Sequence, residues 1–245
     1  MISSDTPVFV IPDIHGMKFW RDALKFIPEG HLVFLGDYLD PYNDENGISN
    51  EDALYNLYDI LDIKRKYIDN VSLLWGNHDL HYLYKELRGS RYDFANSVRL
   101  NQFFWQNQEC FQFAEEAVIC GKRYLFTHAG VGKKWAENVC EKFENRAPAA
   151  DELNELAKSH SFIEALGAVS GKRGGWSDYG SMIWADCREQ LSEENQYKDI
   201  VQIFGHTQLA KSLNIENRIY CLDCGKCFRI NPASGSIEAD FELSL

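Results

Sequence analysis

A chain of 245 residues, 45% of them hydrophobic, carries enough apolar material for one packed domain over residues 1–245 and is not a disordered composition. A formal charge of −12, from 37 acidic against 25 basic residues, argues against nucleic acid or an anionic membrane as a partner. No apolar run reaches the ~18 residues of a membrane span, and the polar start Met1–Pro7 lacks a signal-peptide core, so cytoplasmic residence is the expectation.

Pro7–Ile11 reads as a short buried strand, ended by Pro12-Asp13-Ile14-His15-Gly16. Asp13 and His15 are two apart and point to the same side of an extended segment. Residues 17–28 look helical. His31–Leu35 is the next strand, ended by Gly36-Asp37-Tyr38-Leu39-Asp40. Pro41–Asn50 is an acidic loop that has a calcium loop's composition without its order, since Tyr42 stands where the first Asp is required. Ser49–Asp52 forms a capping box ahead of Leu54, Leu57, Tyr58 and Leu61, whose spacing predicts a helix over 51–67. Val71–Trp75 is a third strand, ended by Gly76-Asn77-His78-Asp79, with Asp79 capping the helix that follows.

Residues 80–88 and 94–117 read as helices whose aromatics, among them Phe104, Trp105, Phe111 and Phe113, serve packing. Arg123–Thr127 is a strand that delivers His128-Ala129-Gly130. Residues 133–145 and 151–169 are helical and interrupt the strand–turn rhythm, which marks an insertion or cap. Gly171–Gly180 is a glycine-rich loop with Lys172 and Arg173. Ile200–Phe204 is the last strand of this kind, ended by Gly205-His206-Thr207. Arg218–Leu222, Cys227–Ile230 and Ile237–Leu243 read as closing antiparallel strands. His31, His81 and His160 lie outside the motifs and read as surface or packed residues, with bracing of the site as the alternative for His81. The seven cysteines are expected as free thiols. Cys221, Cys224 and Cys227 have the spacing of a metal or iron–sulfur run, but no fourth thiol is near.

Five strand ends thus supply Asp13, His15, Asp37, Asp40, Asn77, His78, His128 and His206. Mixed carboxylate, amide and imidazole donors suit Mn, Fe or Zn. One carboxylate shared between two ions allows the ~3.5–4 Å separation of two-metal hydrolytic sites. Such a centre gives an acidic chain a locally positive site for an anion.

These motifs, in this order, resemble those of the calcineurin-like metallophosphoesterases. The chain is most similar to the serine/threonine phosphoprotein phosphatase branch and its bacterial relatives, which include the symmetrical diadenosine tetraphosphate hydrolases. The likeness runs from Asp13 to Thr207, and Tyr220-Cys221-Leu222-Asp223-Cys224-Gly225 extends it. Gln208, where other branches carry a second histidine, agrees with this placement. The resemblance implies an α/β fold, a four-layer α/β/β/α sandwich, with a helical cap over about 133–170. It implies two divalent metal ions: Asp13 and His15 on the first, Asp37 bridging, and Asn77, His128 and His206 on the second. His78, paired with Asp40, would protonate the leaving alcohol while a hydroxide held by the metals attacks in line. The implied reaction is hydrolysis of a phosphate monoester on a protein or a small molecule. The alternatives are cleavage of a dinucleoside polyphosphate and a catalytically dead metal-binding scaffold, against which the intact His78–Asp40 pair argues. Asp223 is expected to support the closing strand.

Two departures bear on the substrate. The family's Asp-Arg-Gly continuation is replaced by Asp40-Pro41-Tyr42, and Trp75 stands where an arginine often precedes Gly-Asn-His. Arg88, Arg91, Arg99, Lys172, Arg173 and Arg188 are the candidates to replace these phosphate clamps. Arg173 leads, because its glycine-rich loop precedes Trp184-Ala185-Asp186, which resembles the family's Trp-Ser-Asp segment, and Arg188 is taken with it. The sequence leaves the natural substrate and the oligomeric state open.

Overall fold

The computed structural model describes residues 2–42 and 47–239. The centre of the acidic loop at 41–50 and the end of the strand expected to run to Leu243 lie outside the described residues. In chain order, β1 (Val8–Ile11), β2 (His31–Phe34), α1 (Asn50–Lys66), β3 (Val71–Leu74), α2 (Asn77–Leu83), α3 (Ser97–Asn107) and β4 (Phe111–Gln112) form the first half. Then come β5 (Glu115–Ile119), β6 (Lys122–Phe126), α4 (Lys133–Val139), α5 (Ala150–Leu156), α6 (His160–Leu166), β7 (Val201–Phe204), β8 (Leu213–Ile215), β9 (Ile219–Cys221), β10 (Phe228–Ile230) and β11 (Ile237–Ala239).

The strands build two sheets, β11-β10-β1-β2-β3-β4 and β5-β6-β7-β9-β8. Alternation along each strand explains the layers. Val8, Val10, Val33, Leu35 and Leu74 face Phe126, Val201, Ile203 and Tyr220 between the sheets. Phe9, Ile11, Leu32, Phe34 and Leu73 face outward onto Leu54, Leu57 and Leu61 of α1. On the other side, Leu125 of β6 shares a core with Trp135, Leu153 and Phe162. This is the α/β/β/α sandwich. The helical segment expected at 133–170 is present as α4–α6, and it forms the outer layer of the second sheet.

Three local expectations need correction. Residues 94–117 are not one helix. The Asn107 side chain ends α3 by donating from Nδ2 to the Phe103 carbonyl at 2.6 Å and accepting from Arg65 at 2.6 Å. Phe111 then pairs with Leu73 at a sheet edge, and β5 turns into β6 through Cys120 and Gly121, both left-handed at φ +51° and +72°. Residues 19–26 form a 3-10 helix, whose three-residue period matches the buried Trp20, Ala23 and Phe26. The closing strands are not uniformly antiparallel: β9 runs parallel to β7 and antiparallel to β8, a strand the sequence reading missed.

β1, β2 and β3 are mutually parallel, as are β6 and β7. Parallel strands end at the same edge, so both sheets present their carboxyl ends to one crevice. No helix among the described residues is long and apolar enough to cross a membrane. The seven cysteines form no disulfide among the described residues. Cys221, Cys224 and Cys227 pack into three different hydrophobic clusters.

Candidate active site

The strand tips turn sharply, and the residues that would do the chemistry also make the turns. His15, Asp37, Asp40 and His206 have φ of +42°, +54°, +55° and +63°. Asp and His are among the few side chains that tolerate this left-handed region. Neighbouring glycines make room for them. A Cβ on Gly76 would lie 2.1 Å from Asp37 Oδ1, and one on Gly205 would lie 2.2 Å from Asp13 Oδ1. Gly76 and Gly205 therefore each accommodate another motif's carboxylate. Gly76→Ala is expected to cost about 3 kcal/mol of stability, because a buried carboxylate cannot yield. A denaturation midpoint equal to that of the parent protein would show that the tips are not interlocked in this way.

Backbone amides hold the carboxylates. His78 N donates to Asp37 Oδ1 and His206 N to Asp13 Oδ1, both at 2.9 Å. Asp79 caps α2 and ties two tips together, accepting from Gly76 N, Asp37 N and Tyr38 N at 2.9–3.0 Å. The imidazoles are oriented from behind by carbonyls. His15 Nδ1 donates to Leu39 O and His128 Nδ1 to Leu35 O, each at 2.8 Å. Both rings therefore present an unprotonated Nε2 to the crevice.

Those lone pairs meet other acceptors. Asp37 Oδ2 lies 3.5 Å from both His15 Nε2 and His128 Nε2. His128 Nε2 is also 2.9 Å from Asn77 Oδ1 and 3.1 Å from His206 Nδ1. Asp13, Asp37, His128 and His206 each bring one donor atom within 4.8 Å of the others, and all are buried. His206 Nε2 and Asn77 Nδ2 are buried without a hydrogen-bond partner. Burial, then the charge of Asp223, pushes the Asp13 carboxyl well above its ordinary range; burial and Asp79 do the same to Asp37. Burial lowers His128 to about 3 and His15 and His206 well below 6.5, which keeps them neutral. Buried lone pairs and carboxylates with too few protons between them fit divalent cations, which take this mixture of oxygen and nitrogen donors.

Beside this group lies a second one. Asp40, His78 and His81 bring donor atoms within 4.8 Å of one another. His78 Nδ1 donates to Asp40 Oδ2 at 2.8 Å. His81 Nε2 is also 2.8 Å from Asp40 Oδ2, though off the line of a hydrogen bond, and the Tyr82 hydroxyl donates to Oδ1. Burial works to raise Asp40, but His78 and then His81 overcome it and hold the carboxyl at about 2. Burial also brings His78 down to about 4, against the pull of Asp40 and with the help of Arg91. His81 is thus packed against a site residue, while His31 hydrogen-bonds Ser72 and His160 is exposed beside Glu164. Asp223 sits close to Asp13 with a buried, unpartnered Oδ2.

The two arginines taken from the sequence as substrate readers are internally engaged. Arg173 Nη2 donates to His206 O and Thr207 Oγ1 at 3.2 and 2.7 Å, and its Nε lies 3.2 Å from Asp186. Arg188 forks onto the same Asp186 at 2.7 and 2.9 Å. Arg91 also stands at the site, with Nη2 3.0 Å from His78 Nε2.

A two-sheet sandwich that gathers carboxylate, amide and imidazole donors at its strand ends belongs to the class of metal-dependent phosphoesterases. The chain belongs to the calcineurin-like phosphoesterase family, whose sequence profile matches residues 6–221. It is 28% identical over 138 residues to a Caenorhabditis elegans protein named as a candidate serine/threonine-protein phosphatase; the match covers 54% of this chain and 34% of that one. The chain thus spans about a third of that relative's length. Among solved structures, a cold-active protein-tyrosine phosphatase from a psychrophilic Shewanella species shares the fold, with TM-score 0.59 and 17% identity, covering 97% of this chain and 81% of that one. A protein serine/threonine phosphatase from Saccharomyces cerevisiae does so with TM-score 0.53 and 18% identity, covering 100% and 84%.

Proposed function

We propose that the chain is a hydrolase with a dinuclear metal centre that cleaves a phosphate monoester carried on a protein or a small molecule. The observation that carries this reading is the meeting of imidazole lone pairs with the buried Asp37 carboxylate. Asp13, His15, Asp37, Asn77, His128 and His206 would hold two cations, of Mn, Fe or Zn. When bound, such a pair supplies Lewis acidity toward phosphoryl oxygens and makes a water nucleophilic at neutral pH.

The chain's own groups do the rest. Leu35 and Leu39 carbonyls fix the tautomers of His128 and His15 in the ligating form. Asp40 stays ionised and accepts a hydrogen bond from the Nδ1–H of His78, which leaves Nε2 as the atom that faces the ester. At rest His78 is neutral. A phosphate dianion entering beside it favours the charged imidazolium, so His78 gains its second proton as substrate arrives and passes it to the leaving oxygen. The likeness to a relative named as a serine/threonine phosphatase supports a phosphoprotein among the substrates.

A panel of phosphopeptides, para-nitrophenyl phosphate and a dinucleoside tetraphosphate, assayed with added Mn, tests this. Turnover of the monoesters is expected. Turnover of the dinucleotide alone would move the assignment to phosphoanhydrides, and silence throughout with two bound ions would indicate a scaffold. His78→Asn is expected to keep its metal and to slow poor leaving groups by about 10²-fold, with a smaller loss on para-nitrophenyl phosphate. An equal loss on both would remove the acid role.

A further inference from the structure

The proposed reaction needs a fixed cation for the phosphoryl oxygens, and both arginines that the family resemblance leads one to expect are missing. Pro41 follows Asp40, and Trp75 is buried and stacked on Phe111 at 4.3 Å between ring centroids. Arg173 and Arg188 share the Asp186 carboxylate.

Arg91 differs. It enters from a loop 51 residues beyond Asp40, and its main chain is left-handed at φ +57°, which a non-glycine residue keeps only under constraint. Its guanidinium lies 4.0 Å from the centroid of the Tyr42 ring. The Tyr42 ring in turn meets His15 edge-on at 4.7 Å. Nη1 donates to the Asp40 carbonyl, and Nη2 donates to His78 Nε2 at 3.0 Å. Among the described residues its donors meet only neutral acceptors. A guanidinium carries five N–H donors in one plane, and two contacts leave most of that fork available. Stacking on Tyr42 sets the plane, and the bond to the Asp40 carbonyl sets its position beside His78; the contact with Nε2 is one that an entering phosphoryl group displaces, since a nitrogen that accepts from Arg91 cannot also hold the proton for the leaving oxygen.

We propose that Arg91, on its Tyr42 platform, grips the phosphoryl oxygens of a phosphate monoester, in place of the two absent arginines. The assignment rests on the phosphatase reading, yet it concerns binding and can be tested by binding alone. The metal-loaded full chain is titrated calorimetrically with inorganic phosphate, and turnover of para-nitrophenyl phosphate is measured alongside. Arg91→Ala is expected to weaken phosphate binding roughly 10- to 100-fold and to raise KM by a similar factor, at wild-type metal content. Arg91→Lys keeps the charge but not the planar fork, and recovers only part of the affinity. Guanidinium ion added to Arg91→Ala restores some binding, which a residue that only props the loop would not permit.

Arg91→Ala that binds phosphate within about twofold of wild type overturns the assignment. Loss of bound metal in both Arg91 variants also overturns it, since the residue would then be a support for the metal cage. If the wild-type chain binds phosphate through Arg91 but turns over no phosphoester, the phosphatase reading fails and the Arg91 assignment stands. A wild-type chain with two ions that binds no phosphate overturns both.

Discussion

Asp37→Asn is expected to lower phosphomonoester turnover by on the order of 10³ and to cut the metal content below two ions per chain. The two oxygens of Asp37 have different tasks. Oδ1 accepts the His78 amide, which an asparagine oxygen can also do. Oδ2 faces His15 and His128, 3.5 Å from each, and an amide nitrogen in its place brings no negative charge. Loss of one shared ligand removes several kcal/mol of Lewis-acid stabilisation, and about 4 kcal/mol corresponds to that rate factor. The same substitution supplies N–H donors where lone pairs meet, so the cation-free variant is expected to melt above the cation-free parent. Metal analysis with a thermal melt in chelator reads both effects. Two tightly held ions in Asp37→Asn would show that this carboxylate is not shared between metals.

The crevice was legible in the sequence because its residues announce themselves twice. Asp37, Asp40, His15 and His206 bear the donor atoms and also tolerate the left-handed turns that end the strands. A short apolar run followed by Gly-Asp or Gly-Asn-His thus carries both a fold signal and a chemical one. Parallel pairing of β1, β2 and β3 then needs no further information to bring the tips together. The stretch after Ser97 was less readable, because Phe103, Phe104 and Phe111 keep near-helical spacing while the last of them belongs to a sheet edge. The two-residue turn Cys120-Gly121 between apolar runs was the available sign of a hairpin there. Arg91 was one of six basic candidates with nothing local to single it out, and contact with the site was only the alternative for His81. Their places depend on how a loop and a helix face return to Asp40, and no spacing rule encodes that.

Two divalent ions are expected to raise the melting temperature by roughly 8–16 °C at pH 8, and by clearly less at pH 5.5. The size follows from mass action. Ligand at about a thousand times its dissociation constant adds about 4 kcal/mol, and a chain of this length shifts by ~2–4 °C per kcal/mol. The pH dependence follows from the cage. The Asp13 and Asp37 carboxyls are raised when folded, by burial first and by their acidic neighbours next. A raised acid binds its proton more tightly folded than unfolded. The cation-free protein therefore loses stability as pH rises from the unfolded value near 4 toward the folded one. The histidines work on the other side. Burial lowers His15, His128 and His206, so the unfolded chain takes up protons first as pH falls below about 6.5, and stability drops with it. A cation needs the carboxylates ionised and the imidazoles neutral, and both conditions improve with pH. Melting curves with Mn and with chelator, taken at pH 5.5 and 8, compare the two shifts directly. Equal shifts at both values would mean that the ions bind somewhere other than this buried carboxylate–imidazole cage.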